Sequence, residues 1–268
     1  MRSRIAAVGL LLAAVPARAG DIFEIQVYDS ETADPLQVGA EVHFNHFAVG
    51  GPADGTERQT DKTTHLTLEP HIGIASWCEA GAYFVSAFRP DGTFDFVGLK
   101  ARFKMRVPWR FGGVLGLALN QELSSSRTDY EAEQFGWEIR PVIDADWRYA
   151  YVSLNPILDV PLGGVGAGVP GLEPSLKGFL KPLPWLGVGA EYYADFGPLT
   201  QLGQVANHTH RVFAALDLEW KWGRQDFELN LAVGYGLQGA DKWIAKLIFA
   251  IDVEPAPPPP PTPVLAAR

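Results

Sequence analysis

Alternation of polar and apolar residues with a period of two constrains this chain more than any other feature. In "GLKARFKMRV", Gly98 to Val107, Lys100, Arg102, Lys104 and Arg106 stand at every second position, with Leu99, Ala101, Phe103, Met105 and Val107 between them and Val97 just before. Successive side chains of a strand point to opposite faces, so the segment predicts a strand with one cationic face and one apolar face. The split recurs in "RQDFELNLAVGYGL", where Phe227, Leu229, Leu231, Val233 and Tyr235 oppose Glu228, Asn230, Ala232, Gly234 and Gly236. Val212, Leu216, Leu218 and Trp220 oppose Arg211, Asp217 and Glu219 in the same way, as Trp243, Leu247, Phe249 and Ile251 oppose Lys242, Lys246 and Asp252. A soluble sandwich also alternates, so the turns have to decide.

Twelve strands are predicted, over 36–47, 61–74, 77–88, 94–107, 111–122, 133–146, 147–158, 172–181, 185–196, 209–221, 225–237 and 241–252. An even number returns both chain ends to one side. The connections "IASW", "VPWR", "DWRY", "KPLPW" and "KWGRQ" are tight, whereas 48–60, 122–132, 158–171 and 197–208 are long and polar or glycine-rich. Short turns at one end and long loops at the other are the pattern of a transmembrane antiparallel up-and-down β-barrel. Trp77, Trp109, Trp147, Trp185, Trp220 and Trp222 all stand beside tight turns. There they are expected to form an aromatic girdle at the membrane interface.

The ends of the chain agree with that class. "MRSRIAAVGLLLAAVPARAG" has Arg2 and Arg4 ahead of an apolar run, and Ala17 and Ala19 at the spacing of a cleavage site. It reads as a signal peptide over 1–19. The run is too short to span a bilayer as a helix. Cys78 is the only cysteine, so no internal disulfide is expected. Without the leader the chain carries 19 Lys and Arg against 31 Asp and Glu. Nucleic-acid binding domains are usually basic, so no nucleic-acid partner is expected.

The leader, the Trp-marked turns and the alternating strands together resemble those of bacterial outer-membrane β-barrel proteins of porin-like type, over roughly residues 20 to 252. "FEIQVYDSETADPLQVGAEVHFNHF" also resembles the start of poorly characterised proteobacterial barrels. The resemblance implies an all-β barrel in the outer membrane, both termini periplasmic, with outer-membrane lipid and the barrel assembly machinery as partners and no cofactor. One departure stands out. Such barrels usually end on an aromatic residue that the assembly machinery reads, whereas this chain runs past "KLIFAIDV" into "EPAPPPPPTPVLAAR". The proline run cannot join a sheet, so 253–268 reads as a tail, and either the assembly signal is internal, near Phe249 and Ile251, or assembly differs.

A lipid-facing charge near the bilayer midplane costs ~2–4 kcal/mol. Lys100, Arg102, Lys104 and Arg106 are therefore expected inside, with Val97, Leu99, Ala101, Phe103 and Met105 toward lipid. Twelve strands give a backbone diameter of roughly 24 Å, wide enough for water. In such a barrel the fourth strand lies opposite the tenth, so the basic row would face an acidic wall of Asp217, Glu219, Glu228, Glu191 and Asp195. Gly112, Gly116 and Ala118 would leave room beside it. This predicts a pore for small polar or charged solutes. The alternative is a closed structural or adhesive barrel, its lumen shut by ion pairs among Glu79, Glu138, Arg140, Asp144, Lys177 and Lys181. The segment over 20–35 alternates as well, and is open to three placements: an added strand, a cover beneath the barrel, or a plug.

Other chemistries find little support. His43 shares inward parity with Glu41, and His65 and His71 with Glu69, which makes His43, His65 and His71 metal-ligand candidates; the plainer reading is polar lumen histidines. An outer-membrane hydrolase needs a serine near a histidine, and Ser124 to Ser126 have none close in sequence. "PLGGVGAGVPG" lacks the Lys-Ser/Thr of a phosphate loop and reads as a mobile outer loop. No enzyme is expected.

Overall fold

The computed structural model describes residues 21–53, 57–131, 134–163, 166–239 and 241–255. The expected leader over 1–19 lies outside them, as does the expected tail from residue 256 onward. Twelve antiparallel strands follow one another: β1 Val38–Val49, β2 Thr64–Ala75, β3 Cys78–Phe88, β4 Phe94–Arg106, β5 Leu115–Ser126 and β6 Phe135–Trp147. Then come β7 (Ala150–Asn155 and Leu158–Pro161), β8 (Gly171–Leu172 and Ser175–Leu183), β9 Leu186–Asp195, β10 Thr209–Trp222, β11 Gln225–Gln238 and β12 Trp243–Val253. The two pieces of β7 keep a single register against β6, Leu154 opposite Ile143 and Leu158 opposite Ile139. Pro156 and Pro174 stand at the interruptions of β7 and β8, where a ladder donor is missing.

Each strand pairs with its sequence neighbours, and β1 pairs with β12 from Val38 opposite Val253 to Val49 opposite Trp243. The sheet is closed and has no edge, as a membrane-spanning sheet must be. At the outward positions of the described strands no Asp, Glu, Lys or Arg occurs, whereas leucines, valines and phenylalanines are exposed there in number. Water would have to cover that apolar band at large cost; lipid does not. Trp77, Trp109, Trp147, Trp185, Trp220 and Trp222 are all exposed around the tight-turn end. At the opposite rim Tyr235 packs on Trp243 with centroids 4.9 Å apart, and Phe88 on Phe94 at 5.1 Å.

Two local expectations are corrected. β5 starts at Leu115 rather than 111, because Gly112 and Gly113 adopt φ of 60° and 72° in a turn closed by a bridge between Phe111 and Leu115. Gly112 therefore faces no lumen; positive φ of this kind is where glycine is needed. Val97 is the second. It is 2% exposed and packs inward against Phe23, Tyr83 and Tyr130 instead of facing lipid. The register of β3 against β4 slips there, Val85 opposite Gly98 but Ser86 opposite Phe96. This is a β-bulge, and a bulge resets the parity of what precedes it.

Gly98 makes the bulge possible. A Cβ at this position would lie 2.4 Å from the carbonyl oxygen of Ser125 and 3.0 Å from Ser126. Gly98→Leu is expected to destabilise the folded barrel by about 1–3 kcal/mol through overpacking. Urea titration followed by tryptophan fluorescence measures it. An unchanged midpoint would show that the bulge relaxes freely.

Candidate functional site in the barrel lumen

Residues 21–37 form no strand, yet they are held by inward-facing groups all around the wall. At the tight-turn end Gly73 and the segment exchange hydrogen bonds, Leu36 N to Gly73 O and Gly73 N to Gln37 O, both 2.9 Å. Deeper in, Ala33 N donates to Glu79 at 2.6 Å, and Ser30 donates to Asp144 from its amide at 2.9 Å and its hydroxyl at 3.0 Å. Tyr28 N donates to Asn155 at 2.7 Å, and Asn45 donates to Phe23 O at 3.2 Å. Two inward glycines make space for the segment. A Cβ at Gly73 would lie 2.0 Å from Asp34 O, and one at Gly116 2.0 Å from Ser30 Oγ.

The segment supplies anions to the basic row of β4. Lys100 pairs with Asp21, with Glu24 at 3.4 Å and with Glu122 at 3.4 Å. Lys104 pairs with Asp29 at 3.2 Å, and Arg106 pairs with Glu31, which also meets Arg110 at 3.0 Å. Arg102 is the one cation of the row whose ion-pair partners among the described residues all belong to the wall, Glu69 and Glu79, each at 2.9 Å. Four expected cations thus share the lumen, but what faces them directly is chain from 21–31.

Tyr28 is the hub of the contact. Its ring lies 4.3 Å from the Arg140 guanidinium and within cation–π range of Arg102 and Lys104, while its hydroxyl donates to Glu24 at 2.5 Å and also meets Tyr83. Arg140 in turn pairs with Glu138 at 2.6 Å and Glu24 at 3.6 Å and donates to Gln26 O at 3.3 Å. Such a network holds well only when every member is satisfied. Sequence reasoning missed the part played by Tyr28 and Arg110, and named Arg140 only among the ion pairs of the closed-lumen alternative, where its pairing with Glu138 is found. The available signal was five acids and no base over 21–35, a composition matched to a four-cation strand.

The acidic wall is divided. Glu191 pairs with Lys246 and accepts from Tyr193 at 2.8 Å, Asp217 pairs with Lys177, and Asp195 accepts from Gly197 N at 2.6 Å. Glu219 and Glu228, directly opposite each other in the β10–β11 register, have no ion-pair partner among the described residues. Both line a cavity of about 530 Å³ at the tight-turn end, bounded on its other side by Tyr28, Asp29, Glu31 and Lys104. Toward the long-loop end two apolar clusters pack inside the barrel, beside the buried Arg211–Asp241 pair. Ile25 packs with Phe47, Phe213 and Ile244 on one side, and Phe23 with Tyr83, Val85 and Val97 on the other.

The three candidate histidines do not meet. His65 contacts Ile22 O through Nδ1 at 3.2 Å and lies against Phe23, and His71 reaches Asp252 at 2.8 Å. Only His43 lies beside carboxylates that converge, Glu69 at 3.3 Å and Glu41 at 3.6 Å.

Long loops are tied across the other mouth. Asp129 pairs with Arg58 at 2.8 Å and Arg127 at 2.7 Å, joining the loop after β1 to the loop after β5. Burial pushes the Asp129 carboxyl up, but the hydrogen bonds from Arg127 and Arg58 outweigh it and hold the group below its ordinary 3.8. A lowered carboxylate contributes stability above its unfolded value and loses it as pH falls through the folded one. Pepsin cleavage at Tyr130, in the loop after β5, is therefore expected to rise as pH drops from about 4 to about 2, and Asp129→Asn to raise it already at pH about 4. Equal cleavage in both proteins throughout would sink the clamp.

No protein-family model and no curated protein matches the sequence. Solved structures do. The COG4313 outer membrane channel from Pseudomonas putida F1 superposes with a TM-score of 0.59 at 10% identity, over 85% of this chain and 100% of that one. The KdgM porin in complex with disordered oligogalacturonate superposes with a TM-score of 0.50 at 10% identity, over 82% and 100%. At such identities the likeness shows the fold, a closed antiparallel barrel of the kind found in the outer membrane.

Proposed function

We propose that the chain is an outer-membrane channel for small polar or charged solutes, with both ends periplasmic and residues 21–35 acting as a plug. The observation that carries this reading is the charge pairing between the segment and β4. Lys104 and Arg106 find their ion-pair partners in Asp29 and Glu31, and Arg110 shares Glu31 with Asp144 of the wall; Asp29 and Glu31 belong to no strand, so the sheet does not depend on their staying in the lumen. The wall itself is complete without them.

A second reading, a closed structural or adhesive barrel, is favoured by the apolar packing of Ile25, Phe47, Phe213 and Ile244 across the long-loop half. Single-channel recording in planar bilayers separates the two, with the refolded full chain measured beside a chain lacking 21–35. Silence from both, with folding confirmed by heat-modifiable mobility on a gel, would sink the channel and leave the closed barrel.

A further inference from the structure

We propose that Glu41, His43 and Glu69 of the wall, together with Gln26 of the luminal segment, bind one divalent transition-metal ion. The oxygens of both glutamates and a ring nitrogen of His43 lie within 4.8 Å of one another. His43 Nε2 stands 3.3 Å from Glu69 Oε2 and 3.6 Å from Glu41 Oε2. Ligands about 2.0–2.1 Å from a tetrahedral Zn2+ are separated from each other by about 3.3–3.4 Å. His43 Nε2 thus already stands at about that spacing from both carboxylates, and the two carboxylates lie within 4.8 Å of each other.

Gln26 supplies the fourth corner. Its amide meets Glu41 Oε2 at 3.0 Å through Nε2, while its Oε1 is buried without a hydrogen-bond partner. A half-turn of the amide, whose two ends are alike in shape, offers Oε1 to the ion. His43 is fully buried, aims Nε2 between two carboxylates and has no partner at Nδ1.

Charge points the same way. Arg102 pairs with Glu69 and Glu79, so one guanidinium faces three carboxylates when Glu41 is included. A doubly charged ion removes the excess. One imidazole and three oxygens suit Zn2+ or a neighbouring transition metal, whereas Ca2+ takes six to eight oxygens. Gln26, Glu41 and Arg102 all line the tight-turn cavity, which gives an ion a way in. Because Gln26 lies on the segment, the ion would join the segment to the wall. Its binding does not depend on solute passage.

The test is titration of the EDTA-treated, refolded full chain in detergent with ZnCl2 by calorimetry, with metal analysis after dialysis. One Zn2+ per chain is expected, and Co2+ in its place should give the visible bands of a tetrahedral site. His43→Ala is expected to abolish binding, and Glu41→Gln and Gln26→Ala to weaken it by about 10-fold or more. Folding of each variant is checked by heat-modifiable mobility; if His43→Ala does not fold, Glu41→Gln at its partly exposed position carries the test. Absence of stoichiometric Zn2+, or the same affinity in Glu41→Gln or His43→Ala, overturns the site. The same affinity in Gln26→Ala overturns the four-ligand form that joins segment to wall.

Discussion

A full-length chain carrying Asp29→Lys and Glu31→Lys is expected to conduct steadily in a planar bilayer, at least about tenfold above the unaltered chain, once two cations face a basic wall at close range. Asp29 and Glu31 now hold Lys104, Arg106 and Arg110; the reversed pair repels all three. Removing 21–35 altogether should raise conductance further, since Phe23 and Ile25 leave the apolar packing of the long-loop half with it. The opened lumen should prefer anions. The deletion takes away five acidic residues and no basic one, leaving Lys104 and Arg106 without ion-pair partners among the described residues. Adding Lys104→Glu and Arg106→Glu to the deletion should reverse the preference, read from the zero-current potential in a salt gradient. An opened barrel whose selectivity ignores those two substitutions would place the ion path elsewhere.

Arg140→Ala is expected to cost about 3–5 kcal/mol, the range for removing one partner from a buried charge network. Arg140 is 1% exposed and stands between Glu138 and Glu24 with its guanidinium over the Tyr28 ring. Without it, Glu24 and Glu138 keep Lys100 as their nearest compensation, and Lys100 already serves Asp21, Glu24 and Glu122. Equilibrium unfolding in urea gives the number. Digestion of the folded barrel with a glutamate-specific endopeptidase offers a local readout, because loss of Arg140 should expose Glu24 and Glu31 of the segment before the sheet opens. A barrel as stable as the unaltered one would show that water enters and solvates the two carboxylates.

Much of the architecture was legible because a strand's period of two is local. Leu99, Phe103 and Met105 stand on one parity and Lys100, Arg102 and Lys104 on the other, and a closed sheet between lipid and a polar interior needs nothing more to sort them. The tryptophans near tight turns were legible for the same reason, since a turn fixes the height of its neighbours. Parity fails where the backbone inserts a residue. The bulge at Gly98 moved Val97 inside, and the glycine turn at Gly112 and Gly113 delayed β5.

Partner choice inside the lumen was not legible, since it depends on groups brought together from distant parts of the chain. By itself the sequence determined that charged side chains of the strands point inward, that the exterior is apolar, and that an acidic segment precedes the first strand. Only the tertiary structure decided that this segment threads the lumen, that Arg140 stacks on Tyr28, and that Glu41, His43 and Glu69 converge while His65 and His71 do not. The physical reason is range. Alternation is set by neighbouring peptide units, whereas the contacts of an inward charge are set by barrel closure and by whatever chain the closed barrel encloses.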